Sequence, residues 1–265
     1  MQADVALVEF HNATIWRGHT RVFENLNLTI AQQEQVAILG PNGCGKTTLL
    51  KAINRELYPV ARNDSWIRIL GRDRWDIWEL RRRIGIVSHD LHMRYTPTTT
   101  ALEVVLSGFQ SSIGIHGLLA NRVQPEHVAQ SSATLAAQGL AELRDVPLAA
   151  MSTGQQRRCL LARALVHHPE TLILDEPTAG LDLAASFEYL RQIRRLSGEG
   201  QNVVIATHHL NEIPLEIDRV ILLKAGTVVA DGSKAEVLTA DRLSELYETP
   251  IRVANKDGYF LAYPG

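Results

Sequence analysis

The chain has 265 residues, with 27 Lys+Arg against 29 Asp+Glu, a formal net charge of -2 and 45% apolar residues. That length holds one large domain or a domain with a subdomain, and the near-neutral balance supplies no bulk attraction for nucleic acid, so no nucleic-acid partner is expected. A mean hydropathy of -0.06, the lack of any apolar run near the roughly 18 residues of a membrane span and a count of only two cysteines argue against a membrane-spanning protein, a secreted disulfide scaffold and a disordered chain. The opening MQADVALVEFHN carries no basic segment followed by an apolar one, so no signal peptide is expected. A reducing compartment fits the cysteine usage, since Cys44 lies in a glycine-rich loop that a disulfide would obstruct.

Short β-branched runs bounded by turn or helix signals predict strands at Val5 to Phe10, 26–30, Gln35 to Leu39, Trp66 to Leu70 and Ile84 to Val87. Between about 89 and 150 no strand is convincing, and the Ala-, Leu-, Gln- and Ser-rich HVAQSSATLAAQGLAEL reads as helix. Helices follow at Thr153 to His168 and Leu183 to Leu196, interleaved with strands Thr171 to Leu174, Val203 to Ala206 and Arg219 to Leu223. The last strand passes through Lys224-Ala225-Gly226 into Thr227 to Ala230, a hairpin pattern. Continuous apolar runs such as TLIL and VVIA predict parallel strands buried on both faces. The expected fold is therefore α/β: a parallel-sheet core over 1–88 and 151–248, an antiparallel β flank formed by the early strands and the final hairpin, and an inserted α-helical subdomain over about 89–150. Residues 249–265 read as a C-terminal tail.

Gly40-Pro41-Asn42-Gly43-Cys44-Gly45-Lys46-Thr47 matches G-x-x-x-x-G-K-[ST] in full, after the strand QVAIL and before the helical TTLLKAIN that includes Thr48. Glycines let consecutive N–H groups turn inward around a phosphate chain, and the helix N-terminus adds partial positive charge. Lys46 would reach the β- and γ-phosphates, and the Thr47 hydroxyl would ligate Mg²⁺, so nucleoside triphosphate binding is the expectation. Cys44 occupies a variable position of the loop; it reads either as a tolerated side chain or as a thiol whose pKa the helix end lowers.

Downstream, the apolar strand ending in Asp175-Glu176 would deliver Asp175 to magnesium and set Glu176 beside the γ-phosphate as the general base for an attacking water. Met151-Ser152-Thr153-Gly154-Gln155 precedes a helix, and Gln155 lies 20 residues before Asp175. Ser152 is a good N-cap, leaving the following N–H groups free to bind an anion. Here the chain resembles the ATP-binding cassette ATPases, whose signature usually reads LSGGQ. The resemblance extends over roughly residues 5 to 248.

That resemblance implies a homodimer that sandwiches two ATP molecules with Mg²⁺. The phosphate-loop residues Gly40 to Thr48 come from one protomer, and Ser152, Thr153, Gly154 and Gln155, with Asp182 of the Ala179-Gly180-Leu181-Asp182 segment, from the other. It implies that His208, after VVIAT, is the switch histidine contacting γ-phosphate and water, and that Trp16 stacks on adenine, although Trp16 also reads as a core residue. The family's glutamine after the strand Ile84 to Val87 is replaced here, in Ser88-His89-Asp90, by His89. His89 reads either as the substitute that touches Mg²⁺ and water, making turnover pH-sensitive, or as an exposed loop histidine. Thr153 stands at the first signature glycine and is awkward only if the backbone there needs positive φ. The pairs His167-His168 and His208-His209 do not complete a metal site, because neighbouring helical residues diverge by about 100°.

Two functions remain open in the sequence. One is the nucleotide-binding subunit of a membrane transporter, cytoplasmic and peripheral on the membrane, working with separate integral membrane permease subunits. The other is a soluble cassette ATPase with no membrane partner, acting in repair, on ribosomes or in regulation, which the altered His89 region favours. SHDLHMRYTPTTTALEVVLSGF resembles cassette ATPases of molybdenum or molybdate uptake. DGSKAEVLTADRLSELYETPIRV resembles the ends of metal-chelate importer ATPases, although an amphipathic helix packing Leu243 and Leu246–Tyr247 on the core accounts for it nearly as well.

Overall fold

The computed structural model describes residues 5–88, 91–114 and 123–265. Its contacts group the chain into two compact units, Met1–Asp76 with Arg194–Gly265, and Ile77–Ile193.

In the first unit, β1 (Ala6–Arg17) pairs antiparallel with β2 (Thr20–Ala31) and with β4 (Trp66–Ile69), in the order β2-β1-β4. A second sheet places β7 (Asn202–Thr207), β3 (Val36–Leu39), β8 (Arg219–Lys224) and β9 (Thr227–Ser233) side by side. β3 is parallel to both neighbours, with Ala37 opposite Ile205 and Val220, and β9 closes the edge antiparallel to β8. Every residue of β3 and β7 is buried, the pattern of parallel strands covered on both faces. The β8–β9 hairpin turns at Ala225 (φ 46) and Gly226 (φ 76), the paired positive φ of a tight hairpin. It belongs to the edge of the parallel sheet; the antiparallel flank takes β4 instead, because β8 has the apolar interior that a place beside β3 requires.

The flank strands are longer than the sequence pattern predicts. Register shifts between Phe10 and Ala13 and between Ala13 and Ile15 interrupt the period-two alternation, with Asn12 at φ 45 and Asn25 at φ 51. Helices α1 (Lys46–Ile53), α7 (Lys234–Val237) and α8 (Ala240–Tyr247) complete the unit. The segment read as a tail is a hairpin, β10 (Ile251–Lys256) with β11 (Tyr259–Pro264), turning through Asp257 (φ 54) and Gly258 (φ 84).

In the second unit, β5 (Ile84–Val87) runs parallel to β6 (Thr171–Asp175), and α2 (Ile77–Arg83) leads into β5. Around them lie α3 (Ala101–Leu106), α4 (Pro125–Ala137), α5 (Thr153–Leu165) and α6 (Leu183–Gly198), the last ending in the first unit. Thr100 begins α3 with a capping box to Glu103, and Ser152 begins α5 with one to Gln155. α5 stops at Leu165, short of the predicted His168, because His168 takes φ 52 and Pro169 follows. Gly108 lets the turn after α3 touch α5: a Cβ there would lie 2.3 Å from the Arg163 carbonyl oxygen.

Candidate functional site

The first unit holds the phosphate loop. β3 delivers the chain to Gly40, whose N–H donates to the Thr207 carbonyl at 3.3 Å, and the Cys44 N–H donates to the Pro41 carbonyl at 3.3 Å to close the turn. Gly43 at φ 80 and Gly45 at φ 117 need glycine's freedom, and α1 starts immediately after Gly45. Gly40 is required for space: a Cβ there would stand 2.3 Å from the Leu223 carbonyl oxygen and 2.7 Å from Cys44 Sγ. Cys44 is buried, so its sulfur fills the room that Gly40 leaves.

Lys46 is only 5% exposed, and its Nζ donates to the carbonyls of Gly40 at 2.7 Å and Pro41 at 3.2 Å. A buried ammonium lying against the backbone of a glycine-rich loop is the kind of positive charge that a phosphate chain demands. Thr47 is half-buried and Thr48 buried on α1, while Asn42 and Gly43 are exposed. The β1–β2 hairpin packs here, since a Cβ on Gly45 would meet the Phe23 ring at 2.7 Å. Phe23 pairs with Ile15, and Trp16 pairs with Arg21 one step outward. Trp16 is 44% exposed, so it is not a core residue and presents an aromatic face to solvent.

His208 follows β7 in the same unit. The Thr207 hydroxyl accepts from the His209 N–H at 2.9 Å and donates to the Glu212 carboxylate, both Thr207 and Glu212 being buried. The rings of His208 and His209 lie 3.8 Å apart between centroids.

The second unit holds the acidic and signature residues. β6 is buried throughout and ends on Asp175, which is buried, and Glu176 follows half-buried at φ 48. A non-glycine residue held in the left-handed region is strained, and such strain gathers where function fixes a side chain. Ser152 is exposed at the N-cap of α5, its Oγ accepting from the Gln155 N–H at 3.3 Å while Gln155 Oε1 accepts from the Ser152 N–H at 2.9 Å. Thr153 is the first helical residue and has no positive φ, so the missing signature glycine creates no strain. Asp182 accepts from the Ala185 N–H at 2.8 Å and starts α6. Ser152, Thr153, Gly154, Gln155 and Asp182 line one cleft of about 370 Å³.

Arg157 was missed in the sequence. It is buried on α5, donating to the Ser88 carbonyl at 3.4 Å and to the Ala179 carbonyl at 2.9 Å, and so ties the end of β5 to the segment preceding Asp182. Two adjacent arginines after a signature read as a solvated face; only the packing of α5 separates buried Arg157 from Arg158, which pairs with Glu188 at 3.3 Å. Beside Arg157, burial holds the Tyr189 hydroxyl above its ordinary pKa, a shift the arginine partly offsets. His89 lies outside the described residues.

The ABC transporter family profile matches residues 23–179. The chain is 35% identical over 228 residues to the cobalt import ATP-binding protein CbiO of Rhodobacter capsulatus, covering 84% of this chain and 76% of the relative. It is 32% identical over 261 residues to the hemin import ATP-binding protein HmuV of Bradyrhizobium diazoefficiens, covering 96% of this chain and 92% of the relative. Among solved structures, the ATP-binding cassette MJ0796, a dimer in a post-hydrolysis state bound to ADP and Pi, superposes with a TM-score of 0.69 at 28% identity, covering 85% of this chain and 98% of that one. The mixed sheets, the phosphate loop and these matches have one meaning: the chain belongs to the ABC transporter family and is an ATP-binding cassette ATPase.

Proposed function

We propose that two copies of this chain close around two Mg-ATP molecules and power a membrane transporter whose pore is formed by separate permease subunits. The observation that carries the reading is two elements in one chain whose geometry suits a phosphate: the glycine-rich loop before α1, and the exposed, serine-capped start of α5 with its cleft. One nucleotide needs only the first; the second takes the γ-phosphate held by the partner, through the α5 N–H groups and the side chains of Ser152, Gln155 and Asp182.

Within one such site, the phosphate-loop N–H groups and Lys46 hold the β- and γ-phosphates, and Trp16 stacks on the base. Thr47 and Asp175 offer a hydroxyl and a carboxylate, the hard oxygen donors Mg²⁺ prefers, and few protein ligands suffice because phosphates and water supply the rest. The bound cation neutralises phosphate charge. Glu176 takes a proton from water as its oxygen bonds to the γ-phosphorus; the bond to the bridging oxygen breaks and ADP leaves with the electron pair. His208 donates to the γ-phosphate and orients the water, and His89 stands in for the family's glutamine.

Two relatives named as import ATPases support an import role, and the alignment to the hemin importer extends over 96% of this chain. We read the cargo as a metal, a metal chelate or molybdate, and the location as the cytoplasmic face of the membrane. Among the described residues no helix is long and apolar enough to cross a membrane, and our reading places the pore in separate permease subunits. The test is purification of the tagged protein from its own cells in mild detergent, with identification of what co-elutes. An integral membrane protein in stoichiometric amount supports the transporter; an active dimer with soluble partners only supports the membrane-free alternative.

A further inference from the structure

The C-terminal segment is bonded to the loop that carries His208. Tyr247, the last residue of α8, donates its phenolic hydrogen to the His208 carbonyl oxygen at 3.1 Å. α8 is itself held firmly. Leu243 and Leu246 are buried, and Lys224 Nζ donates to the Glu245 carbonyl at 2.7 Å and pairs with Glu248 at 2.9 Å. The Ser244 hydroxyl accepts from the Ile251 N–H at 2.9 Å, which fixes the start of β10. β11 then returns so that Leu261 and Ala262 line the same cleft of about 420 Å³ as His208, His209 and Tyr247. Arg194 anchors the far end of the hairpin, donating to the Tyr259 hydroxyl and pairing with Glu216 at 3.1 Å.

The His208 carbonyl carbon is bonded to the Cα that carries the imidazole. Anchoring its oxygen therefore restrains that Cα and the direction in which the ring is presented. Thr207 and Glu212 brace the loop from the strand side, and Tyr247 holds it from the helix side. We propose that Tyr247 is a positioning residue for ATP hydrolysis: from α8, its hydroxyl holds His208 in the pose that meets the γ-phosphate, which makes the C-terminal segment part of the catalytic apparatus. The proposal rests on the reading of His208 as the switch residue.

The test compares Tyr247→Phe, His208→Ala and the double variant by single-turnover hydrolysis of radiolabelled ATP, with KM and melting temperature measured for each. Tyr247→Phe keeps the ring and removes one oxygen, so the fold and KM are expected to hold while the rate falls about three- to tenfold, the effect of one neutral hydrogen bond. The double variant is expected to be as slow as His208→Ala alone. A wild-type rate for Tyr247→Phe overturns the proposal. Losses that multiply in the double variant overturn it too, as does a rate loss that merely follows a lowered melting temperature. His208→Ala at the wild-type rate refutes the switch reading itself, a failure visible before Tyr247 is considered.

Discussion

His167, just beyond the end of α5, makes stability depend on pH in a way that can be calculated. Both of its ring nitrogens are buried and make no hydrogen bond among the described residues. Burial first, then the charges of Arg163, His168 and Arg82, lower its pKa from 6.5 to about 4. The folded protein thus keeps His167 neutral over a range where the unfolded chain protonates it. Stability from this group is complete above pH 6.5, is lost as pH falls, and is fully lost below about pH 4. From pH 7.5 to pH 5 the loss is about 2 kcal/mol, roughly a thirtyfold change in the folded-to-unfolded ratio. His167→Leu removes the titration and the two buried nitrogens at similar volume, and should lie within about 1 kcal/mol of the parent at pH 7.5. Urea unfolding of both proteins at the two pH values measures the difference directly, other histidines cancelling in the comparison. The variant should gain about 2 kcal/mol on the parent at pH 5. An equal gap at both pH values would refute the argument.

Other substitutions probe the site itself. Gly40→Ala puts a Cβ against the Leu223 carbonyl, backbone that cannot rotate away; stability should fall by about 1–3 kcal/mol and ATP binding should vanish in calorimetry. Ser152→Ala removes a helix cap, costing about 1 kcal/mol in a melt. It should leave ATP binding to one chain intact while steady-state hydrolysis collapses; undiminished hydrolysis would remove the signature from the site. Trp16→Ala should weaken ATP and ADP equally, by about 1–3 kcal/mol, because stacking on the base ignores the phosphates; unequal losses by fluorescence titration would place Trp16 elsewhere.

The phosphate loop, the strand to Asp175 and the Ser152 cap were legible because each is a local pattern: a glycine spacing, a continuous apolar run, a capping residue before a helix. The flank strands were cut short because bulges at Asn12 and Asn25 hide the alternation that a strand is recognised by. The β10–β11 hairpin carried a readable signal, Asp257-Gly258 between alternating runs, which the amphipathic pattern before it overshadowed. The burial of Arg157 and the bond from Tyr247 to His208 had no local signal. Their partners Ser88, Ala179 and His208 lie far away in sequence, and only folding brings a buried guanidinium or a phenol to those carbonyls.

The sandwich is tested most directly with Glu176→Gln, which keeps the phosphate loop and removes the proton acceptor. Light scattering on the purified variant in saturating Mg-ATP should give twice the 29.4 kDa of one chain, with one ATP retained per protomer, and a single-chain mass once nucleotide is removed. A variant that binds ATP and still scatters as one chain would contradict the account.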